Sequence, residues 1–179
     1  MGDPRKSRKT FTRPRKIWTS DQLSGELYII GSYGLRNKRE LWKAQTEVAG
    51  FRNQARSLLA LPAEDRHQQE IKILKYLGRL GLIDETASLD DILNLKIEHL
   101  LERRLQTMIM RKIDTKSPYT ARQIVVHGHV SIGDRFVNLP GHIVKKEEEN
   151  QLLVHIELSK PSSSSTSPST SVPNMEKQG

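Results

Sequence analysis

The sequence has no cysteine, few aromatic residues and no long apolar run, and each shortage excludes something. Without cysteine there is no disulfide and no thiolate metal ligand, so zinc ribbons and knuckles are excluded, and the composition fits a reducing cytoplasm. Aromatic residues make up 5% of the 179, too few for a sheet that stacks successive bases on aromatic side chains. No apolar stretch approaches the roughly 18 residues of a membrane span, so no membrane partner is expected. The N-terminus lacks the apolar core of a secretory signal, and Pro4 and Pro14 interrupt the amphipathic helix of a transit peptide. Acidic residues are nearly missing from the start of the chain. Asp3 alone stands against Arg5, Lys6, Arg8, Lys9, Arg13, Arg15 and Lys16, a surplus of six positive charges in sixteen residues.

What is present is positive charge on helical sequence. The net charge is +8 and the sequence pI about 9.8, which points to a polyanionic partner. The length allows one domain or two small ones. Residues 1–18 read as an extended basic arm whose charges repel one another and whose few apolar residues, Phe11, Ile17 and Trp18, are anchors or stacking groups. For Trp18, beside a helix start, packing is the expectation.

A helix is expected from Thr19, where Thr19 and Gln22 have capping-box spacing; Leu23, Leu27 and Ile30 form its stripe and Gly31 or Gly34 ends it. The longest helix follows. Asn37 caps it with Glu40 at the reciprocal position, and Leu41, Ala44, Val48, Phe51, Ala55 and Leu58 step by three and four. Such a stripe predicts an antiparallel helix partner. A third helix from about Pro62 to Leu80 turns Ile71, Leu74 and Leu77 inward and stops at Gly81. A short element capped by Ser88 covers Ser88 to Leu93.

The stretch from Leu101 to Gly128 reads as two basic helices, 101–112 and 118–127, joined by a turn. Leu101, Leu105, Met108 and Lys112 fall at helical spacing, with Arg104 and Arg111 on a neighbouring face. Ser117 caps the second helix, Pro118 takes its first position, and Gly128 stops it. Ala121, Ile124 and Val125 face inward, and Arg122 and Gln123 outward. Between Glu102 and Arg122 the basic residues exceed the acidic ones by four. The period then changes to that of strands. Val130 and Ile132 alternate, Gly133-Asp134 turns a hairpin into Phe136-Val137, Ile143-Val144 is a short strand, and residues 152–158 form the last one. Residues 147–150 are expected as an acidic loop tip. From Lys160 onward the Ser/Thr/Pro-rich composition reads as a disordered tail.

No chemical motif in the sequence meets its own requirements. Gly128 and Gly133 have the spacing of a phosphate-binding loop, but Asp134-Arg135 stands where Lys-Ser/Thr belongs. His127 and His129 have no third ligand near them and no Ser or Asp orienter for a triad. Asp90 and Asp91 are a carboxylate pair at a helix start, where acids are common. No metal, cofactor or catalytic residue is therefore assigned. Arginine on structured helices suits bidentate contacts to phosphate, and recognition of a folded RNA by backbone and shape.

The residues LERRLQTMIMRK and SPYTARQIVVHGHV resemble the S-four RNA-binding domain, two helices followed by a small sheet. The segments MGDPRKSRK, ELYIIGSYGLRNKRELWKAQTEVAGFRNQARSLLAL and LGRLGLIDE resemble the N-terminal half of the small-subunit ribosomal protein S-four family in its archaeal and eukaryotic form. Together they cover most of residues 2–158. The resemblance implies an α+β chain: a basic arm (1–18), a helical rRNA-binding lobe (19–97), an S-four RNA-binding domain (98–158) and a tail (159–179). It implies a structural, non-enzymatic constituent of the small ribosomal subunit that binds rRNA early in assembly, at a junction in the five-prime domain. It further implies small-subunit protein S-five and mRNA near its entrance channel as neighbours, with a part in translational accuracy. No homo-oligomer is expected.

Carried over residue by residue, the RNA-contacting role falls on Arg103, Arg104, Arg111, Lys112, Ser117, Thr120, Arg122, Gln123, His127 and His129. Charge and position add Lys116, the arm residues Arg5, Lys6, Arg8, Lys9, Arg13, Arg15 and Lys16, and Arg36, Asn37, Lys38, Arg39, Arg52 and Arg56. Three departures stand out. The inter-helix loop reads Ile113-Asp114-Thr115-Lys116 in place of a small, apolar run. The tail is nearly neutral where eukaryotic relatives often end in basic residues. The zinc-binding cysteines of some bacterial members are missing. The alternatives are an RNA-modifying enzyme that docks through this domain, a free RNA chaperone, and a helix-turn-helix DNA reader. The first needs a second folded domain, and the last usually dimerises.

Overall fold

The computed structural model describes residues 9–84, 87–115 and 117–155. Arg5, Lys6, Arg8, Lys116, the end of the last expected strand (156–158) and the tail (159–179) lie outside the described residues. The architecture is α+β, with a helical majority and one small antiparallel sheet.

Helix α1 (Ser20–Tyr33) closes on Gly34 in the left-handed conformation, with Leu35 N–H bonded to Ile30 O at 3.0 Å. Of the two expected stops, Gly34 is the real one. Thr19 takes the N-cap position without a side-chain cap. The expected stripe needs correction. Leu27 is exposed, and the buried residue is Glu26, which accepts hydrogen bonds from Trp42 Nε1 at 3.1 Å and Gln22 Nε2 at 3.1 Å and pairs with Lys38 at 3.0 Å. A carboxylate is tolerated there because every partner it needs is supplied.

Helix α2 (Lys38–Leu59) forms as its stripe predicts. Asn37 accepts from Glu40 N–H, and all six predicted stripe residues are buried. The stripe is covered within the chain by α1, by α3 (Ala63–Leu80), by α4 (Leu89–Asn94) and by α5 (Ile97–Glu102). In α3, Leu77 is buried and Gly81 stops the helix, but Ile71 is half exposed, so the predicted inward face is too wide by one turn. In α4, Asp91 accepts the Ser88 N–H at 2.8 Å, the helix-start role expected for it.

The single helix expected over 101–112 is two. Helix α5 ends at Glu102; Arg104 is extended (φ −70°, ψ 141°), and α6 (Leu105–Ile113) starts afresh. The break is filled by the returning chain. Leu105 N–H donates to His142 O at 2.8 Å, Val144 N–H donates to Arg103 O at 2.9 Å, and Arg104 pairs with Ile143 in an isolated bridge. The backbone groups freed by the break thus find partners, as buried polar groups must. The expected Ile143-Val144 strand is reduced to this bridge.

The break also divides the packing. Leu101 belongs to a core made by α1–α5, whereas Leu105 belongs to a second core with Ile109, Ala121, Ile124, Val125, Val130, Val144 and Leu152. The second core joins α6, α7 (Pro118–Val126) and a three-stranded sheet in the order β2-β1-β3, where β1 is Val130–Ile132, β2 Arg135–Phe136 and β3 Leu152–Val154. Of the loop tip expected at 147–150, residues 147–149 instead belong to the short helix α8 (Lys146–Glu149), which packs on α3. No described helix is long and apolar enough to cross a membrane.

Candidate nucleic-acid interface

Two helix starts come together at the centre of the molecule. The side-chain amide of Gln106, on the first turn of α6, donates to Tyr33 O (3.2 Å) and Gly34 O (3.0 Å), just before α2, and to Pro118 O (3.0 Å), the first residue of α7. Glu40, one turn into α2, accepts from Arg104 Nη2 at 2.8 Å and from Arg122 Nη2 at 2.9 Å. The starts of α2 and α7 are thus held together through Gln106 and Glu40.

This network corrects two expectations. Glu40 does not complete a capping box; its carboxylate reaches across to the second core. Arg122 does not face outward. Its guanidinium lies between Glu40 and Gln106; the Arg122 side chain is 20% exposed and that of Arg104 9%. Burial pushes the Glu40 carboxyl up, but hydrogen bonds from Arg122 and Arg104, with their charges, outweigh it and hold the group below its ordinary value.

The remaining basic residues divide by what they touch. Arg103 holds Glu149 at 2.9 Å and Val144 O at 3.0 Å, tying α8 to the helix break. Arg52 donates to Leu95 O, and Lys112 donates to Leu152 O. Lys38 pairs with the buried Glu26. Arg56 bonds Asn53 on an exposed face at 3.1 Å. Arg111 pairs with Glu102 at 3.2 Å yet stays 58% exposed. Arg36, Asn37 and Arg39 are exposed at the start of α2, and Thr120 and Gln123 on α7. Ser117 caps α7 through Tyr119 N–H, as expected. His127 and His129 are exposed with ring centroids 6.5 Å apart. Asp114 adopts φ 53° and ends α6 as its left-handed cap, a conformation Asp tolerates better than most residues. The charge in that loop thus accompanies a backbone role.

The described part of the arm lies along α2. Phe11 stacks on Trp42 with centroids 6.0 Å apart, Thr12 N–H donates to Thr46 Oγ1 at 2.9 Å, and Arg13 sits 5.9 Å from the Trp42 ring centre. Lys9 lies over Phe11, and Arg15 and Lys16 are exposed. Trp18 overturns the packing expectation: its side chain is 87% exposed. Among the described residues no group of three or more His, Cys, Asp or Glu is placed to hold a metal ion.

Sequence reasoning missed Gln106 altogether and gave Glu40 the wrong partner. One faint signal existed for Gln106, a polar residue between the apolar Leu105 and Ile109. Nothing local links Glu40 to arginines 64 and 82 residues away.

The fold and surface define a small, basic α+β protein built on a helix-turn-helix-like pair, with cations clustered where two helices begin. No family model matches the sequence. The chain is 51% identical over 150 residues to the small ribosomal subunit protein uS4 of Hyperthermus butylicus, spanning 84% of this chain and 85% of that one. It is 52% identical over 149 residues to the protein of the same name from Ignicoccus hospitalis (83% and 90%), and 50% over 152 residues to that of Cenarchaeum symbiosum (85% and 74%). The chain belongs to the small ribosomal subunit protein uS4 family.

Proposed function

We infer that this chain is a structural constituent of the small ribosomal subunit that binds rRNA, acts in the cytoplasmic ribosome and catalyses nothing. One observation carries the reading: about half of the residues are identical, over more than four-fifths of the chain, to archaeal proteins that bear that name. The enzyme and free-chaperone alternatives gain nothing from these relatives.

Within that role, the arm (1–18), the helical lobe (19–97) and the S-four domain (98–158) act on RNA together. Direct contacts come from the exposed groups: Lys9, Arg13, Arg15, Lys16, Arg36, Asn37, Arg39, Arg56, Arg111, Thr120, Gln123, His127 and His129, joined by Arg5, Lys6, Arg8 and Lys116. Arg103, Arg104, Arg122, Arg52, Lys38 and Lys112 serve by holding elements in place, and Ser117 by capping α7. Their charges already meet carboxylates or carbonyls. The indole of Trp18, beside Arg15 and Lys16, offers an unpaired base a stacking surface. Small-subunit protein S-five and mRNA at its entrance channel are neighbours by family resemblance, with a contribution to translational accuracy.

The test is binding of a five-prime-domain rRNA transcript, duplex DNA and an unrelated RNA across a salt series. The transcript binds most tightly and with a steep salt slope. Equal affinity for all three overturns specific rRNA recognition.

A further inference from the structure

Helices α3 and α8 leave a groove of about 640 Å³ between them. Its floor is one face of α3, Ile71, Leu74 and Gly78, at the i, i+3, i+7 spacing of a single stripe. Ile71 is 50% exposed although its neighbours Leu77 and Leu80 are buried. Gly78 stands in the helix interior, where glycine is disfavoured relative to alanine. A side chain there would meet only the carbonyl of Ile83, at 3.9 Å. The absence of a side chain leaves room for close approach. Three cations rim the groove, Lys75 and Arg79 one turn apart on α3 and Lys146 on α8, against the single acid Glu147.

We propose that this groove docks an acidic amphipathic segment of a neighbouring protein. The apolar strip takes the segment's hydrophobic side chains, and the two cationic edges take its carboxylates. An apolar floor favours this occupant over RNA: phosphate contact would leave Ile71 and Leu74 facing a polyanion they cannot solvate. A helix or extended peptide that buries apolar side chains in a groove and presents acids to its rim satisfies floor and rim together. The groove's lining shares no residue with those assigned to RNA, so a protein and RNA can be held at once.

The test uses full-length chain in assembled small subunits, with a photo-crosslinking amino acid in place of Ile71 and peptide mapping of the product. The expected product is a protein segment with apolar residues along one face and acidic residues beside them. A synthetic peptide of that segment then binds the full-length chain, and the double variant Lys75→Glu, Arg79→Glu weakens it at least tenfold. Both positions are solvent-facing, so the variant keeps the wild-type circular dichroism and rRNA affinity. A crosslink to rRNA, to residues 156–179 of this chain or to nothing overturns the proposal. So does a peptide whose affinity the double variant leaves unchanged. Loss of rRNA binding by the unmodified chain would overturn the ribosomal reading and leave the peptide result standing, so the two failures are distinguishable.

Discussion

Arg122 lies 82 residues beyond Glu40, yet its Nη2 donates to Glu40 Oε1 at 2.9 Å. The same carboxylate takes Arg104 at 2.8 Å, so one side chain of the first core fixes two of the second. Because both arginines are mostly buried, removing the acid leaves two cations without a counter-charge. Glu40→Ala should therefore cost about 2–4 kcal/mol, less than the upper range for a fully buried pair because Glu40 keeps some water contact. Urea unfolding measures it, and a loss under 0.5 kcal/mol would show that the network is incidental.

The same carboxylate sets a pH dependence. Glu40 is held below its ordinary value of 4.5, so its stabilisation is present at neutral pH and disappears as pH falls from about that value through the lower folded one. Glu40→Gln should unfold more easily than wild type at pH 7 and converge with it in acid. Glu47 runs the other way. Burial raises its carboxyl, offset only in part by Lys43, so its ionised form opposes folding at neutral pH. Glu47→Gln should gain stability at pH 7 and lose that gain at low pH.

Gly34 allows the turn between α1 and α2. Its φ is 58°, and a Cβ there would come within 2.7 Å of Pro118 Cβ and 2.8 Å of Gln106 Nε2. Gly34→Ala combines left-handed strain with overpacking, together about 2–5 kcal/mol. Thermal unfolding should show the loss, while Gly25→Ala, in open space, should be neutral or stabilising.

Salt dependence separates contacting arginines from positioning ones. Replacing exposed Arg36 and Arg39 together by Ala should lower the slope of log affinity against log salt by about 1.4–1.8, since each neutralised phosphate adds about 0.7–0.9. Arg104→Ala and Arg122→Ala should reduce stability, and the folded fraction should keep the wild-type slope. A reduced slope for Arg104→Ala would place that guanidinium on RNA.

Trp18 offers a contrast between stability and binding. At 87% exposure it contributes little to the fold, so Trp18→Ala should shift unfolding by less than about 0.5 kcal/mol. Affinity for the five-prime-domain transcript should fall by about 1–3 kcal/mol if the ring stacks on a base. Unchanged affinity in titration would remove Trp18 from the interface.

Local features were legible wherever one short-range rule decided them. Asn37 and Ser117 cap helices, Gly34, Gly81 and Gly128 end them, and the six-residue stripe of α2 is buried throughout. The turn at Gly133 joins β1 to β2 as its sequence indicates. Failures cluster where a second element competes. The run from Ile97 to Ile113 has helical periodicity from end to end, and periodicity cannot reveal that residues 140–144 will pair with it at Arg103 and Arg104. Basic residues on α6 and α7 looked like one outward surface, whereas Arg122 turns inward to Glu40.

The sequence by itself determined that this is a basic α+β chain, that Asn37 and Ser117 cap their helices, and to which family it belongs. Those properties are written in composition, spacing and identity, each readable without knowing what any residue touches. Only the tertiary structure decided which cations are available to RNA. A guanidinium has the same charge in the sequence whether it faces solvent or a carboxylate 82 residues away. Which of the two it meets depends on how the break at Arg104 sets one core against the other.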